Sequence, residues 1–157
     1  MRVAILTLSD SRSLAEDLSG QGLVDYLAAW PDVELVERAL LPDERDQIEA
    51  ALIRCVDDLA CALVLTTGGT GLAPRDVTPE ATEAVSDRLV PGLAERMRQL
   101  SLQKTPLAAL SRAVVGQRGR SLIVNLPGSP RGARECLEAI AAVLPHALAI
   151  AGGERPH

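Results

Sequence analysis

Two aspartates stand out for the company they keep. Asp43 lies in LPDE (41–44), and Asp76 closes TTGGTGLAPRD (66–76), in which Gly68, Gly69 and Gly71 fall within four positions and Arg75 precedes the acid. Adjacent glycines allow positive φ and let successive N–H groups face an anion. NLPGSP (125–130) offers a second such cradle: Ser129 can cap a helix whose first-turn N–H groups and dipole end point outward. Carboxylates beside an anion site repel the ligand unless a hard cation lies between them. That arrangement suits Mg²⁺ held by one or two carboxylates and phosphate oxygens. In phosphoryl or nucleotidyl transfer such an ion neutralises developing charge and aligns the attacking oxygen.

Each residue also has a plainer use. GGTG lacks the GK[ST] ending of a P-loop and the GxGxxG of a dinucleotide fold, so a tight strand-to-helix connection explains it as well as an anion cradle does. NLPGSP could be ordinary turn and cap chemistry. Asp43 immediately precedes a helical stretch and could serve as its N-cap. Asp76 stands two residues before Thr78, a better cap, which leaves an Asx-turn open. Arg75 either offsets charge or is solvated. His146 and His157 show no nucleophile–base or ligand pattern.

Positioning these loops requires strands and helices. RVAILTL (2–8), VELVERALL (33–41), ALVLT (62–66), SRAVVGQRG (111–119) and SLIVNL (121–126) read as strands. The run 62–66 has the continuous apolar character of a strand buried on both faces. Helical spacing links Leu23, Tyr26, Leu27 and Trp30, closed by Pro31; then Ile48, Leu52, Cys55, Val56 and Leu59; then Leu93, Met97 and Leu100. The last set is either a core stripe or a subunit contact. Thr78-Pro79 and Ser129-Pro130 each announce a helix as cap followed by proline. A final helical stripe buries Ala133, Cys136, Leu137, Ile140 and Leu144, with Pro145 breaking or ending it. Alternating strands and helices predict a three-layer α/β/α domain with a mainly parallel, Rossmann-like sheet, as one domain over 1–157. In such sheets ligands bind beyond the carboxyl ends of the strands. The loops after four of the strands, 9–11, 42–44, 68–76 and 125–130, are all polar.

Composition narrows the function. The 157 residues are 47% apolar with no Phe, one Trp and one Tyr, and the net charge is −5. A chain with so few aromatic faces is a poor single-stranded nucleic-acid platform, and its charge favours neither DNA nor an anionic membrane. Cys55, Cys61 and Cys136 show no metal spacing; the first and last fall on apolar stripes and read as buried hydrophobes. An odd cysteine count without a framework, and an N-terminus unlike a secretory signal, predict a cytoplasmic protein.

With these residues assembled, SDS (9–11), LAEDLSG (14–20), LPDE (41–44), LTTGGTGLAPRDVTPEAT (65–82), PGLAERM (91–97), LSR (110–112) and NLPGSP (125–130) together resemble the molybdopterin adenylyltransferase family, the MogA/MoaB type also found as the G domain of gephyrin. The likeness is collinear over nearly the whole chain. It implies a homotrimer that transfers an adenylyl group from Mg-ATP to the terminal phosphate of molybdopterin with loss of pyrophosphate. By motif, Asp43 and Asp76 match the family's two critical aspartates and candidate Mg²⁺ ligands. Thr67, Gly68, Gly69, Thr70, Gly71 and Arg75 match its nucleotide-phosphate region. Ser9, Asp10, Asn125, Pro127, Gly128 and Ser129 match loops bordering the pocket. Metal insertion would then belong to a separate molybdenum-insertion protein. A non-catalytic molybdopterin carrier or assembly scaffold is the alternative, and retention of both aspartates favours the enzyme.

Overall fold

The apolar runs become the centre of a sheet because both of their faces are covered. The computed structural model describes residues 1–154. Strands β1 (Arg2–Leu8), β3 (Leu63–Thr67) and β6 (Ser121–Leu126) are buried almost without interruption. Side chains alternate across each strand, so the same short runs feed two cores. Val3, Ile5, Leu63, Leu65 and Val124 point to one, and Ala4, Leu6, Val64 and Ile123 to the other. A fully buried Leu or Ile of this kind contributes about 1.5–3 kcal/mol over its exposed state.

With β2 (Glu34–Leu41), β4 (Arg88–Leu89) and β5 (Val115–Arg118), the strands form one sheet in the order β2-β1-β3-β6-β5-β4. β2, β1, β3 and β6 run parallel, while β5 and β4 are antiparallel additions at one edge. Helices α1 (Leu18–Leu27), α4 (Pro91–Leu102) and α5 (Pro130–Ala141) cover the first core, joined by Leu144 of α6 (Leu144–Ala151). Helices α2 (Arg45–Ile53) and α3 (Thr78–Val85) cover the second. The three-layer fold is therefore as the alternation of elements predicts.

Leu93 and Met97 are buried in the first core and Leu100 packs against it, so that stripe is core. Cys55, Cys61 and Cys136 are all buried, and burial pushes the Cys55 thiol up to about 12. Several boundaries differ from the sequence reading. α1 stops at Leu27, short of Pro31. The final apolar stripe divides into α5 and α6, with Pro145 in the first turn of the latter. β5 starts only at Val115, because the preceding residues bond elsewhere: Arg112 donates its N–H to Thr70, and Val114 to the Asn125 side chain.

The order β2-β1-β3 places the chain's reversal between β1 and β3, since the first connection runs outward to β2 and the second returns past β1. A doubly wound sheet opens a crevice at that point, beyond the carboxyl ends of the strands.

Candidate functional site

The loops that leave β1 and β3 meet across this crevice. After β1, Ser9 accepts N–H groups from Ser11 and Arg12, each at 3.3 Å, which turns the chain sharply. Asp10 then reaches the loop after β2 and accepts the Asp43 N–H at 2.9 Å. Arg75, from the loop after β3, donates to both oxygens of Asp10 at 2.9 and 3.0 Å and to Glu44 at 2.9 Å. One arginine thus ties three loops together. The Arg75 guanidinium and the Asp43 N–H hold the Asp10 carboxyl below the usual aspartate range. Glu44 takes the N-cap position of α2, which leaves the Asp43 side chain free of that role.

Asp43 is in the opposite condition. Its Oδ1 is buried with no hydrogen-bond partner among the described residues. Burial pushes its carboxyl up, the charges of Asp10 and Asp76 push it further, and Arg75 only partly opposes them. Asp76 is anchored by one oxygen, which accepts the Ala73 N–H at 2.9 Å.

The glycine loop explains how two acids come so close to backbone. Gly68 and Gly69 have φ of +104° and +64°, in the left-handed region that other residues avoid. A Cβ on Gly69 would collide with the Thr78 hydroxyl and lie 3.0 Å from Asp43 Oδ1; one on Gly71 would lie 2.8 Å from Asp76 Oδ2. The glycines therefore clear space for the carboxylates of both acids as well as exposing backbone.

The segment that follows holds this arrangement from behind. Thr78 is the first residue of α3 rather than its cap, a place taken by Val77. Its hydroxyl instead donates to the Gly68 carbonyl at 2.9 Å, and its N–H donates to Gly69 at 3.2 Å. Thr82 accepts from Asn125 Nδ2 at 2.8 Å, and Thr66 accepts from the same nitrogen at 3.0 Å. Asn125, fully buried, is thereby spent inside the protein and pins β6 to α3 and β3. Thr67 likewise donates to the Pro127 carbonyl at 2.8 Å, and Gly128 approaches Gly68 so closely that a Cβ on it would sit 3.3 Å from the Gly68 Cα. Ser129 caps α5 by accepting the Gly132 N–H at 3.1 Å.

Bordering the glycine loop opens a cleft of about 300 Å³. Thr70, Gly71, Asn125, Pro127 and Ser129 line its loop side; α4, α5 and the short turn Pro106–Leu110 form the rest. Its walls are largely aliphatic, with Met97 and Leu107 among them. The candidate residues thus fall into two groups: Asp10, Asp43, Arg75 and Asp76 at the crevice, and Thr70, Gly71, Asn125, Pro127 and Ser129 at the cleft, with Thr67, Gly68, Gly69 and Gly128 between them. His146 is exposed on α6, far from any such grouping in sequence, and His157 lies outside the described residues.

Residue types alone did not single out Asp17, Glu80 or Arg112, although LAEDLSG, TPEAT and LSR contain them. Asp17 is almost completely buried. It accepts from Thr7 at 2.8 Å, Ser19 at 3.1 Å, the Gly20 N–H at 2.8 Å and Arg38 at 3.3 Å. Burial acts to raise its carboxyl, but these bonds outweigh it and hold the group below the usual range. It fastens the segment after β1 to β2 and caps α1.

A cation fits this crevice on one condition. Asp43 Oδ1 is an orphaned, buried acceptor among like charges, which is an environment that a hard cation relieves. Among the described residues, however, no group of three or more His, Cys, Asp or Glu side chains could hold a metal alone. The rest of a Mg²⁺ shell at such a site would be water and ligand oxygens. Among the same residues no helix is long and apolar enough to cross a membrane.

Comparison with known proteins agrees in one direction. Residues 4–146 match the family model described as "Probable molybdopterin binding domain". The chain is 45% identical over 152 residues to the molybdopterin adenylyltransferase of Helicobacter pylori strain 26695, covering 94% of this chain and 86% of that protein. It is 46% identical over 144 residues to the protein of that name from Escherichia coli K12, covering 89% and 73%. Among solved structures, the molybdopterin biosynthesis enzyme MoaB of Thermus thermophilus superposes with a TM-score of 0.89 at 52% identity, over 98% of this chain and 97% of that one.

Proposed function

This chain belongs to the molybdopterin-binding domain family, and from that premise we propose that it is a molybdopterin adenylyltransferase, a nucleotidyltransferase of molybdenum cofactor biosynthesis. Its relatives of that name support the activity. The observation that carries the mechanism is the unpartnered, buried Oδ1 of Asp43 beside a left-handed glycine. An oxygen of the terminal phosphate of molybdopterin attacks the α-phosphorus of ATP. The bond from that phosphorus to the bridging oxygen breaks, and pyrophosphate leaves with the electron pair. The product carries a new phosphoanhydride.

Asp43 and Asp76 would hold the Mg²⁺ that arrives with ATP. Bound there, the ion neutralises charge on the phosphates during transfer. The chain's own residues do the rest. The loop Thr67–Gly71 presents backbone to the nucleotide phosphates. Arg75 fixes Asp10 and, through the Asp10 bond to the Asp43 N–H, the position of Asp43. The cleft bordered by Asn125, Pro127 and Ser129 has the volume for a fused ring, and we assign it to the pterin. With a single Trp and a single Tyr in the chain, that ring rests on aliphatic and backbone surfaces. The chain works as one domain and as a cytoplasmic homotrimer, passing its product to a separate molybdenum-insertion protein.

The test is direct. Purified protein given Mg-ATP and molybdopterin yields adenylylated molybdopterin and pyrophosphate. Asp76→Asn lowers that rate by about 100-fold, the order expected when one charged transition-state contact is lost, with molybdopterin binding retained. Molybdopterin binding by the wild type without any adenylylated product would make the chain a carrier instead.

A further inference from the structure

Arg112 grips both ends of the loop carrying Asp76. Its Nε donates to the Gly71 carbonyl at 2.7 Å and its Nη2 to the Asp76 carbonyl at 2.6 Å. Its Nη1 pairs with Glu80 on α3, and its backbone N–H donates to the Thr70 carbonyl at 2.9 Å. Burial acts to raise the Glu80 carboxyl, yet Arg112 and the bonds around it hold it below the usual range. Every contact named here falls on the glycine loop, the Asp76 loop or the first turn of α3. Arg112 belongs to neither hydrophobic core.

The position of Arg112 in the chain adds a second role. It follows directly on the turn Pro106–Leu110 and on Ser111, and Leu107, Ala108, Leu110 and Ser111 all line the cleft. The wall of the cleft and the clamp on Asp76 are therefore one continuous segment. Two peptide units separate Leu110, on the wall, from Arg112, whose guanidinium holds the loop.

We propose that Arg112 is a positioning residue for adenylyl transfer, fixing Asp76 and coupling its placement to occupancy of the cleft; this rests on the nucleotidyltransferase reading. The planar guanidinium has donors in a fixed fork that can serve Gly71, Asp76 and Glu80 at once. A lysine ammonium is a point charge on a flexible stem and cannot reproduce that geometry. Loss of the clamp leaves residues 71–76, which lie outside any helix or strand, held within the loop by the Ala73–Asp76 bonds and from outside only through the exposed Arg75 pairs with Asp10 and Glu44.

Two measurements test this on the full chain. In steady-state kinetics, Arg112→Lys and Arg112→Ala lower kcat by about 100-fold, the scale of an ångström-sized misplacement of a reacting group, while KM for Mg-ATP stays within about threefold. Added methylguanidinium raises kcat of Arg112→Ala and leaves Arg112→Lys unchanged. A wild-type kcat in the lysine variant, a loss confined to KM, or no rescue by methylguanidinium would overturn the proposal. The second measurement needs no catalysis: amide hydrogen exchange over residues 70–78. It is expected to speed by about tenfold or more in Arg112→Lys with the sheet unchanged, and in the wild type to slow when molybdopterin is added. Unchanged exchange in the variant refutes the clamp, and exchange indifferent to molybdopterin refutes the coupling. Absence of turnover in the wild type would count against the enzymatic reading alone.

Discussion

Replacing Asp43 with Asn is expected to stabilise the ligand-free protein while abolishing its activity. The wild-type carboxylate has one oxygen buried without a partner and feels both Asp10 and Asp76. An unsatisfied buried polar atom costs about 1–3 kcal/mol. Solvent screening at this partly exposed residue brings the expected gain to about 1 kcal/mol, since the amide of Asn can donate to a neighbouring carboxylate. For a chain of this size that is a rise in Tm of about 2–4 °C. The gain depends on pH in a defined sense. Asp43 holds its proton to higher pH in the folded protein than in the unfolded chain. Wild-type stability therefore falls as pH rises from the ordinary aspartate value to the raised one, and the deficit persists above it. The Asn variant should match the wild type in acid and exceed it at neutral pH. The assay is thermal unfolding across pH in a chelator, repeated with Mg²⁺ and a non-hydrolysable ATP analogue. A ligand at 100 times its Kd adds about 2.7 kcal/mol, so ligand should reverse the ranking in favour of the wild type. A variant less stable in chelator at neutral pH, or an advantage indifferent to pH, would refute the reasoning.

Gly69→Ala should destabilise the protein by at least about 2 kcal/mol, because a left-handed backbone alone costs an L-residue about 1–2 kcal/mol and the new Cβ meets the Thr78 hydroxyl; urea unfolding within experimental error of the wild type would contradict this. Asn125→Leu strands the Val114 N–H and removes the donor shared by Thr66 and Thr82. Denaturation should register a loss of about 3 kcal/mol, and a smaller loss than that of Gly69→Ala would mean the network relaxes more readily than its burial implies. Arg75→Ala should let the Asp10 carboxyl rise back toward the ordinary aspartate range, read by carboxyl NMR titration, and should raise KM for Mg-ATP. An Asp10 titration identical in the two proteins would show that Arg75 is not its counter-ion in solution.

What could be read in the sequence divides by the range of the interaction. β1, β3 and β6 announce themselves because burial on both faces leaves an unbroken apolar run, and a parallel sheet then brings their polar loops to one edge. Asp43, Asp76 and the glycines were legible as residue types in suspicious company. β4, only two residues long, and the turn Pro106–Leu110 have no periodicity to show. Thr78-Pro79-Glu80 reads as a cap with proline behind it, but the cap shifts to Val77 because the Thr78 hydroxyl is claimed by the Gly68 carbonyl. Arg112 and Glu80 are 32 residues apart, and a pairing at that distance leaves no trace in local spacing.

The internal bonds of Thr78, Glu80 and Thr82 separate what makes this chain recognisable from what we propose makes it act. They bond Gly68, Arg112 and Asn125, so this part of RDVTPEAT holds the shape of a loop. On the proposed role of Asp43, a chain could keep all three, fold the same glycine turn and match the same pattern after losing that residue, and it would bind without turning over. In a duplicated gene the stretch that advertises membership would then outlast the activity. Loss of that one carboxylate would remove a destabilising charge on the way, so drift toward an inert scaffold runs downhill in folding free energy.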